Sequence, residues 1–166
     1  MKALGFVLIV VSTTLCGTAF SFKLLSRVRG LEDAISLTGV LASELRFTLA
    51  PMPEIIGTVA NEIPGLPFLK ACSDMCKSGV PFPQAWHLSL KKATEDGLLS
   101  EDLKALEHMG SVLGTTDING ALSELNYAEF ILKQRHKEAK EKKQQLAGLY
   151  RTMGALAGIG LVIILM

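Results

Sequence analysis

Aromatic residues are scarce in this 166-residue chain, at 6% with a single tryptophan, Trp86. A surface that stacks bases needs more of them. The formal net charge of +1 also offers no basic excess for a phosphate backbone, so nucleic acid is excluded as a partner class. Cysteine is limited to Cys16, Cys72 and Cys76, and three thiols make no disulfide framework. Cys72 and Cys76, four apart, share one face of a helix. They read as small buried apolar residues in a reducing cytoplasm rather than as a redox or metal pair. A phosphate-cradling glycine loop, a nucleophile elbow, a Cys-x-x-Cys and a His-Glu-x-x-His are all absent. His87, His108 and His136 stand alone, without the spacing of zinc ligands. Carboxylates are spread over helix surfaces. The expectation is a chain with no catalytic residues, no cofactor and no metal, and so not an enzyme.

Apolar residues are plentiful, at 49% against 20% charged, with a mean hydropathy of +0.35. The excess sits at the two ends. Residues 3–22 carry no charge and are flanked by Lys2 and Lys23. Residues 153–166, extended back to Leu146, form a second run. At about 1.5 Å of rise per residue each is long enough for a bilayer core of about 30 Å. The first run is too long for a signal peptide, and Leu15 stands before Cys16 where a lipoprotein needs a small residue; a retained span is expected. Between the runs, Lys23, Arg27 and Arg29 follow the first, and Lys133, Arg135, Lys137, Lys140, Lys142, Lys143 and Arg151 precede or enter the second. Only Lys2 lies beyond. The positive-inside rule therefore puts the middle in the cytoplasm and both termini at the opposite face. Gly154 and Gly158 make a Gly-x-x-x-Gly spacing, which permits close packing with the first span, where Gly5 and Gly17 supply small residues.

No stretch of the middle alternates with a strand's period of two, and helical periodicity recurs throughout. Leu24, Val28, Leu31, Ile35, Thr38, Leu41 and Leu45 mark a first amphipathic helix ending before Ala50. Pro53 is expected to open a second, carrying Ile55, Ile56, Val59 and Ile63, which Pro64 and Gly65 break. Pro67 opens a third with Phe68, Leu69, Cys72 and Cys76 on one side. Residues 78–83 read as a turn and 85–93 as a short fourth helix, closed by Asp96 and Gly97. Ser100 is expected to cap a fifth, with Leu99, Leu103, Leu106, Gly110 and Leu113 as its stripe and Gly114 as a left-handed residue past its end. Thr116 or Asp117 then caps a sixth, with Ile118, Leu122, Leu125 and Leu132 inward. Residues 133–145 are polar on nearly every face. They read as a solvated basic stalk with pairs such as Glu138 with Lys142 and Lys137 with Glu141, its cations within reach of anionic headgroups. The expected organisation is all-α: a transmembrane helix at 1–22, a six-helix cytoplasmic bundle at 23–132, the stalk at 133–145 and a second transmembrane helix at 146–166. Trp86 reads as filling the bundle core.

Several segments carry a resemblance. They are Glu44-Leu45-Arg46-Phe47 with Ala50-Pro51-Met52, then Ala85-Trp86-His87-Leu88-Ser89-Leu90-Lys91-Lys92, then Gly110-Ser111-Val112-Leu113-Gly114-Thr115-Thr116-Asp117. With the basic helix and the closing apolar span, the chain resembles the stage III sporulation protein AB family of endospore-forming bacteria over essentially its whole length. Glu-Leu-x-Phe stands where that family more often has Glu-Ile-x-Tyr. The resemblance implies a fold similar to the cytoplasmic six-helix bundles of the inner-membrane platform protein of type II secretion and type IV pilus machines, here as half a platform. It implies a place in the mother-cell membrane around the forespore, within a multi-protein channel, with a secretion-type ATPase docked on the cytoplasmic side; a homo-oligomer is compatible with that. Glu44, Arg46, Phe47, Pro51, Trp86, Gly114 and Asp117 belong to the matching segments as candidate partner contacts. Gly114 and Asp117 also read as backbone devices, and Glu44 with Arg46 near Pro51 as an exposed polar patch. A membrane-bound sensor whose bundle binds a small ligand is the alternative reading.

Overall fold

Two long helices frame the molecule, and four short ones are strung between them. The computed structural model describes the backbone of residues 2–48, 50–93 and 97–165, and the side chains of residues 23–48, 50–93 and 97–146. Within these limits the elements are α1 (Lys2–Phe47), α2 (Met52–Glu62), α3 (Pro67–Lys77), α4 (Phe82–Lys92), α5 (Ser100–Leu113) and α6 (Ile118–Leu165), with no strand among the described residues. The side chains of the two apolar end runs, Gly154 and Gly158 included, lie outside the described residues. Among those described, no helix is long and apolar enough to cross a membrane.

Contacts between helices set the directions. His136 of α6 meets Glu32 of α1 at 3.1 Å, Arg135 meets Glu101 of α5 at 3.0 Å, and His108 lies 3.7 Å from Glu124. Trp86 and His87 of α4 meet Leu106 and Glu107 of α5. Successive helices therefore run up and down. One end of the bundle, here the head, gathers Phe47, Pro51, Gly114 and Asp117. The other, the base, gathers Lys23, Leu98 and Gln145, where α1 and α6 run on toward the apolar termini.

α1 is one unbroken helix of 46 residues. Its buried line is Val28, Leu31, Ala34, Leu37, Thr38 and Leu41, whereas Leu24, Ile35 and Leu45 are only half-buried. The stripe is turned because α1 packs closely against α6, whose buried residues include Ala121, Ala128 and Ala139. Small side chains let two backbones approach, and a reading weighted toward large apolar residues overlooks them.

Three starts and one end differ from expectation. α2 begins at Met52 with Pro51 as its cap residue, one position early. α4 begins at Phe82 rather than at 85, since Pro83 sits at its second position, where the missing N–H leaves no helical bond unmade. The turn is thus confined to residues 78–81, and Gly79 takes a positive φ of 89° in it. α5 is capped from within: the Leu99 N–H donates to the Asp102 carboxylate at 3.0 Å. Ser100 is already helical, and Leu99 is exposed rather than part of the stripe. Gly114 has φ −86° and ψ −7°, so it is not left-handed. A Cβ there would run into Pro83 and Phe82; glycine stands at this position for close approach of α4 and α5. α3 starts at Pro67 as expected, and the Asp117 carboxylate caps α6 by accepting the Gly120 N–H at 3.1 Å. Ile118 is exposed and Leu122 half-buried, leaving Ala121, Leu125, Ala128 and Leu132 as the inward line. Asp96 lies outside the described residues.

The core centres on Trp86, 1% exposed. Phe68 meets it edge-on with ring centroids 5.3 Å apart, and Phe82 packs at 5.6 Å. The indole N–H donates to the Leu106 carbonyl at 2.8 Å, and Gly110 leaves the room that the ring occupies. An aromatic pair of this kind adds about 0.5–1.5 kcal/mol to the area buried.

Candidate functional site

The head brings most of the singled-out residues to one end. Phe47, the last residue of α1, is 84% exposed, and Arg46 and Pro51 are exposed beside it. Glu44 is half-buried and accepts a hydrogen bond from the Thr48 hydroxyl at 2.6 Å, which trims the helix end. Gly114 and Asp117 stand at the same end as the stop of α5 and the start of α6. Trp86 does not join them: it is wholly inside. An exposed phenylalanine thus stands beside an exposed arginine on a backbone held by two adjoining helix termini.

At the base lies a second constellation that sequence reasoning missed. Asp102 is fully buried, with 0% side-chain exposure, and Arg27 is 14% exposed. Arg27 grips the carboxylate with two nitrogens, Nε to Oδ2 at 3.0 Å and Nη2 to Oδ1 at 3.2 Å. Arg135, 26% exposed, stands 3.6 Å from Oδ1 and pairs with Glu101 at 3.0 Å. One buried anion thus ties α1, α5 and α6 together and caps α5 as well. The only local signal was a carboxylate three residues after a helix start, the second half of a capping box. Arg135 and His136 belong to the stretch expected to be a solvated stalk. Instead they pack on α5 and α1, and Ala139 is buried. Within α6 itself the i,i+4 pair that reaches this stretch is Glu129 with Lys133 at 2.7 Å; the two expected pairs of the stalk are not among those formed.

The histidines do not converge. His87 pairs with Glu107 at 2.6 Å, His108 with Glu124 and His136 with Glu32, on three different helix pairs. Among the described residues no group of three histidine, cysteine or acidic side chains could hold a metal ion. Cys72 is buried and Cys76 half-buried, both reduced. Burial pushes the Cys72 thiol up to about 12, helped by the neighbouring Cys76, and burial raises Cys76 as well. Such thiols keep their protons at neutral pH and are poor nucleophiles. In the unfolded chain the Cys72 thiol ionises near its ordinary value of 9.0. Its contribution to stability is therefore complete below pH 9 and is lost as pH rises toward 12. Urea titrations should show the wild-type bundle losing about 2 kcal/mol more than Cys72→Ala between pH 8 and about pH 10.5. Equal losses in the two proteins would refute the assignment.

An all-α bundle of six helices, closed by a buried ion network at one end and presenting an exposed aromatic at the other, defines the class: a helical domain between two prolonged framing helices. The family model of stage III sporulation protein AB matches residues 2–166, and the chain belongs to that family. It is similar to stage III sporulation protein AB of Bacillus subtilis (strain 168), with 25% identity over 170 residues that cover 100% of this chain and 99% of the relative. A solved structure of stage III sporulation protein AB shares the fold with a TM-score of 0.64 at 20% identity, covering 72% of this chain and 98% of that one.

Proposed function

We propose that the chain is a non-enzymatic membrane platform of a sporulation complex, which links a cytoplasmic secretion-type ATPase to the membrane parts of a channel between mother cell and forespore. The observation that carries this reading is continuity. α1 and α6 each run without a break from the bundle into an apolar run of span length, so whatever engages the bundle is joined directly to the membrane. Residues 1–22 and 146–166 span it, residues 23–132 together with the packed stretch 133–139 face the cytoplasm, residues 140–145 carry the basic link between bundle and bilayer, and both termini lie at the far face. The ATPase docks on the head through Glu44, Arg46, Phe47 and Pro51. Other sporulation proteins meet the spans, where Gly154 and Gly158 pack against a neighbouring helix. The ligand-sensor alternative asks for an enclosed polar pocket. Two depressions, of about 340 and 300 Å³, lie between α4 and α5 and between α5 and α6, and both are open grooves.

Purification of the intact protein from sporulating-cell membranes tests this. Wild-type protein should bring down an ATPase and channel components. Arg46→Glu with Phe47→Ala should cut ATPase recovery at least tenfold while the channel components remain. Recovery as a solitary monomer overturns the platform reading. In parallel, Gln145→Cys should be shielded from a membrane-impermeant thiol reagent in intact cells, and ready labelling overturns the topology.

A further inference from the structure

α6 buries Ala121, Leu125, Ala128, Leu132 and Ala139. At 100° per residue these share one narrow line along the helix. Ser123, Tyr127, Phe130 and Gln134 fall on the line diametrically opposite, and all four are exposed. Two of the largest exposed apolar side chains of the bundle are therefore on the strip farthest from its core: Tyr127 is 56% and Phe130 58% exposed. Among the described residues, nothing in the fold of one chain covers them. Their spacing of three, continued by four to Gln134 and preceded by four from Ser123, is the a/d rhythm of a coiled-coil seam.

The edges of this strip differ in charge. One edge carries Asn126, Lys133 and Lys140; the other carries Glu124, Ile131 and Glu138. In a parallel two-helix seam the first edge of each helix faces the second edge of its partner, whereas in an antiparallel seam like edges meet. Parallel alignment places Lys133 of one helix against Glu138 of the other, twice by symmetry. Antiparallel alignment about the same two aromatics sets Lys133 against Asn126 and forms no such pair. The occupant this surface fits is a copy of itself, in the same direction.

We propose that two copies of this chain associate in parallel through the outward face of α6, with Tyr127 and Phe130 at the centre of the seam and Lys133 paired to Glu138 across it. Parallel alignment is the only one open to two copies inserted the same way in one membrane, so this step rests on the membrane reading above. Two aromatics per copy make a seam well below the roughly 1,200 Å² of a stable free complex. Confinement to one bilayer supplies the missing effective concentration.

Oxidative cross-linking of the full-length protein in its membranes tests the pairing. Ser123→Cys and Gln134→Cys should each give a disulfide-linked dimer of twice 17.9 kDa, at least tenfold above the wild type and above Glu107→Cys on exposed α5. Glu138→Lys should lower the Gln134→Cys yield at least threefold, and adding Lys133→Glu should restore it. Absence of the dimer, or an equal yield from Glu107→Cys, overturns the seam. So does a dimer formed only when Ser123→Cys and Gln134→Cys chains are mixed, which marks an antiparallel contact, or a cross-linked band of another mass, which marks a different protein. Carbonate extraction of the same samples reports the membrane reading separately: protein that is extracted but still forms the dimers removes that reading and leaves the seam.

Discussion

Asp102→Ala should cost the bundle about 3–5 kcal/mol, the usual consequence of deleting one partner of a buried ion pair. Among the described residues the carboxylate is the one buried anion paired with Arg27, and Arg135 also stands within 4 Å of it. Removing it leaves the Arg27 guanidinium 14% exposed without its counter-charge and takes away the acceptor for the Leu99 N–H. Denaturation followed by the fluorescence of Trp86, the one tryptophan, reads this directly. The double change Arg27→Met with Asp102→Leu separates the causes. It removes both charges at similar volume and should recover most of the loss, leaving about 1 kcal/mol for the missing cap. A loss below 1 kcal/mol for Asp102→Ala would show that water reaches the site and that the network is not structural.

Trp86→Ala should be as damaging, at about 3–5 kcal/mol, because the indole is the largest fully buried side chain and no neighbour can fill its place. Phe68 and Phe82 lose their aromatic partner, and the Leu106 carbonyl loses its indole donor. Trp86→Phe keeps part of the volume and should cost about 1–3 kcal/mol, mostly through the lost hydrogen bond and a residual cavity. Far-UV circular dichroism against temperature is the measurement, since these variants lack the fluorophore. An unchanged midpoint for Trp86→Ala would mean that the core is loosely packed around residue 86.

Helix number and order were legible in the chain because each short helix carries its own apolar period and α2, α3 and α4 each open at a proline. Pro67 opens α3, Asp117 caps α6, and Trp86 lies at the centre of the core, all as their local context suggests. The errors share a cause. Pro81 and Pro83 were read as turn residues, although Pro83 fits the first turn of α4 as well as any loop. Leu99 and Ile118 were assigned inward because they are apolar, yet each lies at a helix start, where the side chain is free of the following turn. Arg27, Asp102 and Arg135 gave no local sign of meeting, since 75 residues separate the first two. For the same reason the packing of residues 135–139 against α1 could not be inferred from a run that is polar at short range. The head residues were found as a group only through resemblance. That Phe47 stands 84% exposed among them depends on where α1 stops.

The pairing of α1 with α6 has a consequence for how the chain is made. Glu32 and His136, which meet across these helices, are 104 positions apart. A ribosome adding about 5–20 residues per second needs roughly 5–20 s to cover that distance. Throughout that interval α1 exists without the helix that covers Leu31, Leu37 and Leu41. The nascent protein must therefore hold this line on α2–α5, on the bilayer or on a chaperone until α6 arrives. Messages truncated ahead of α6 should yield chains that aggregate or are degraded rather than smaller working bundles.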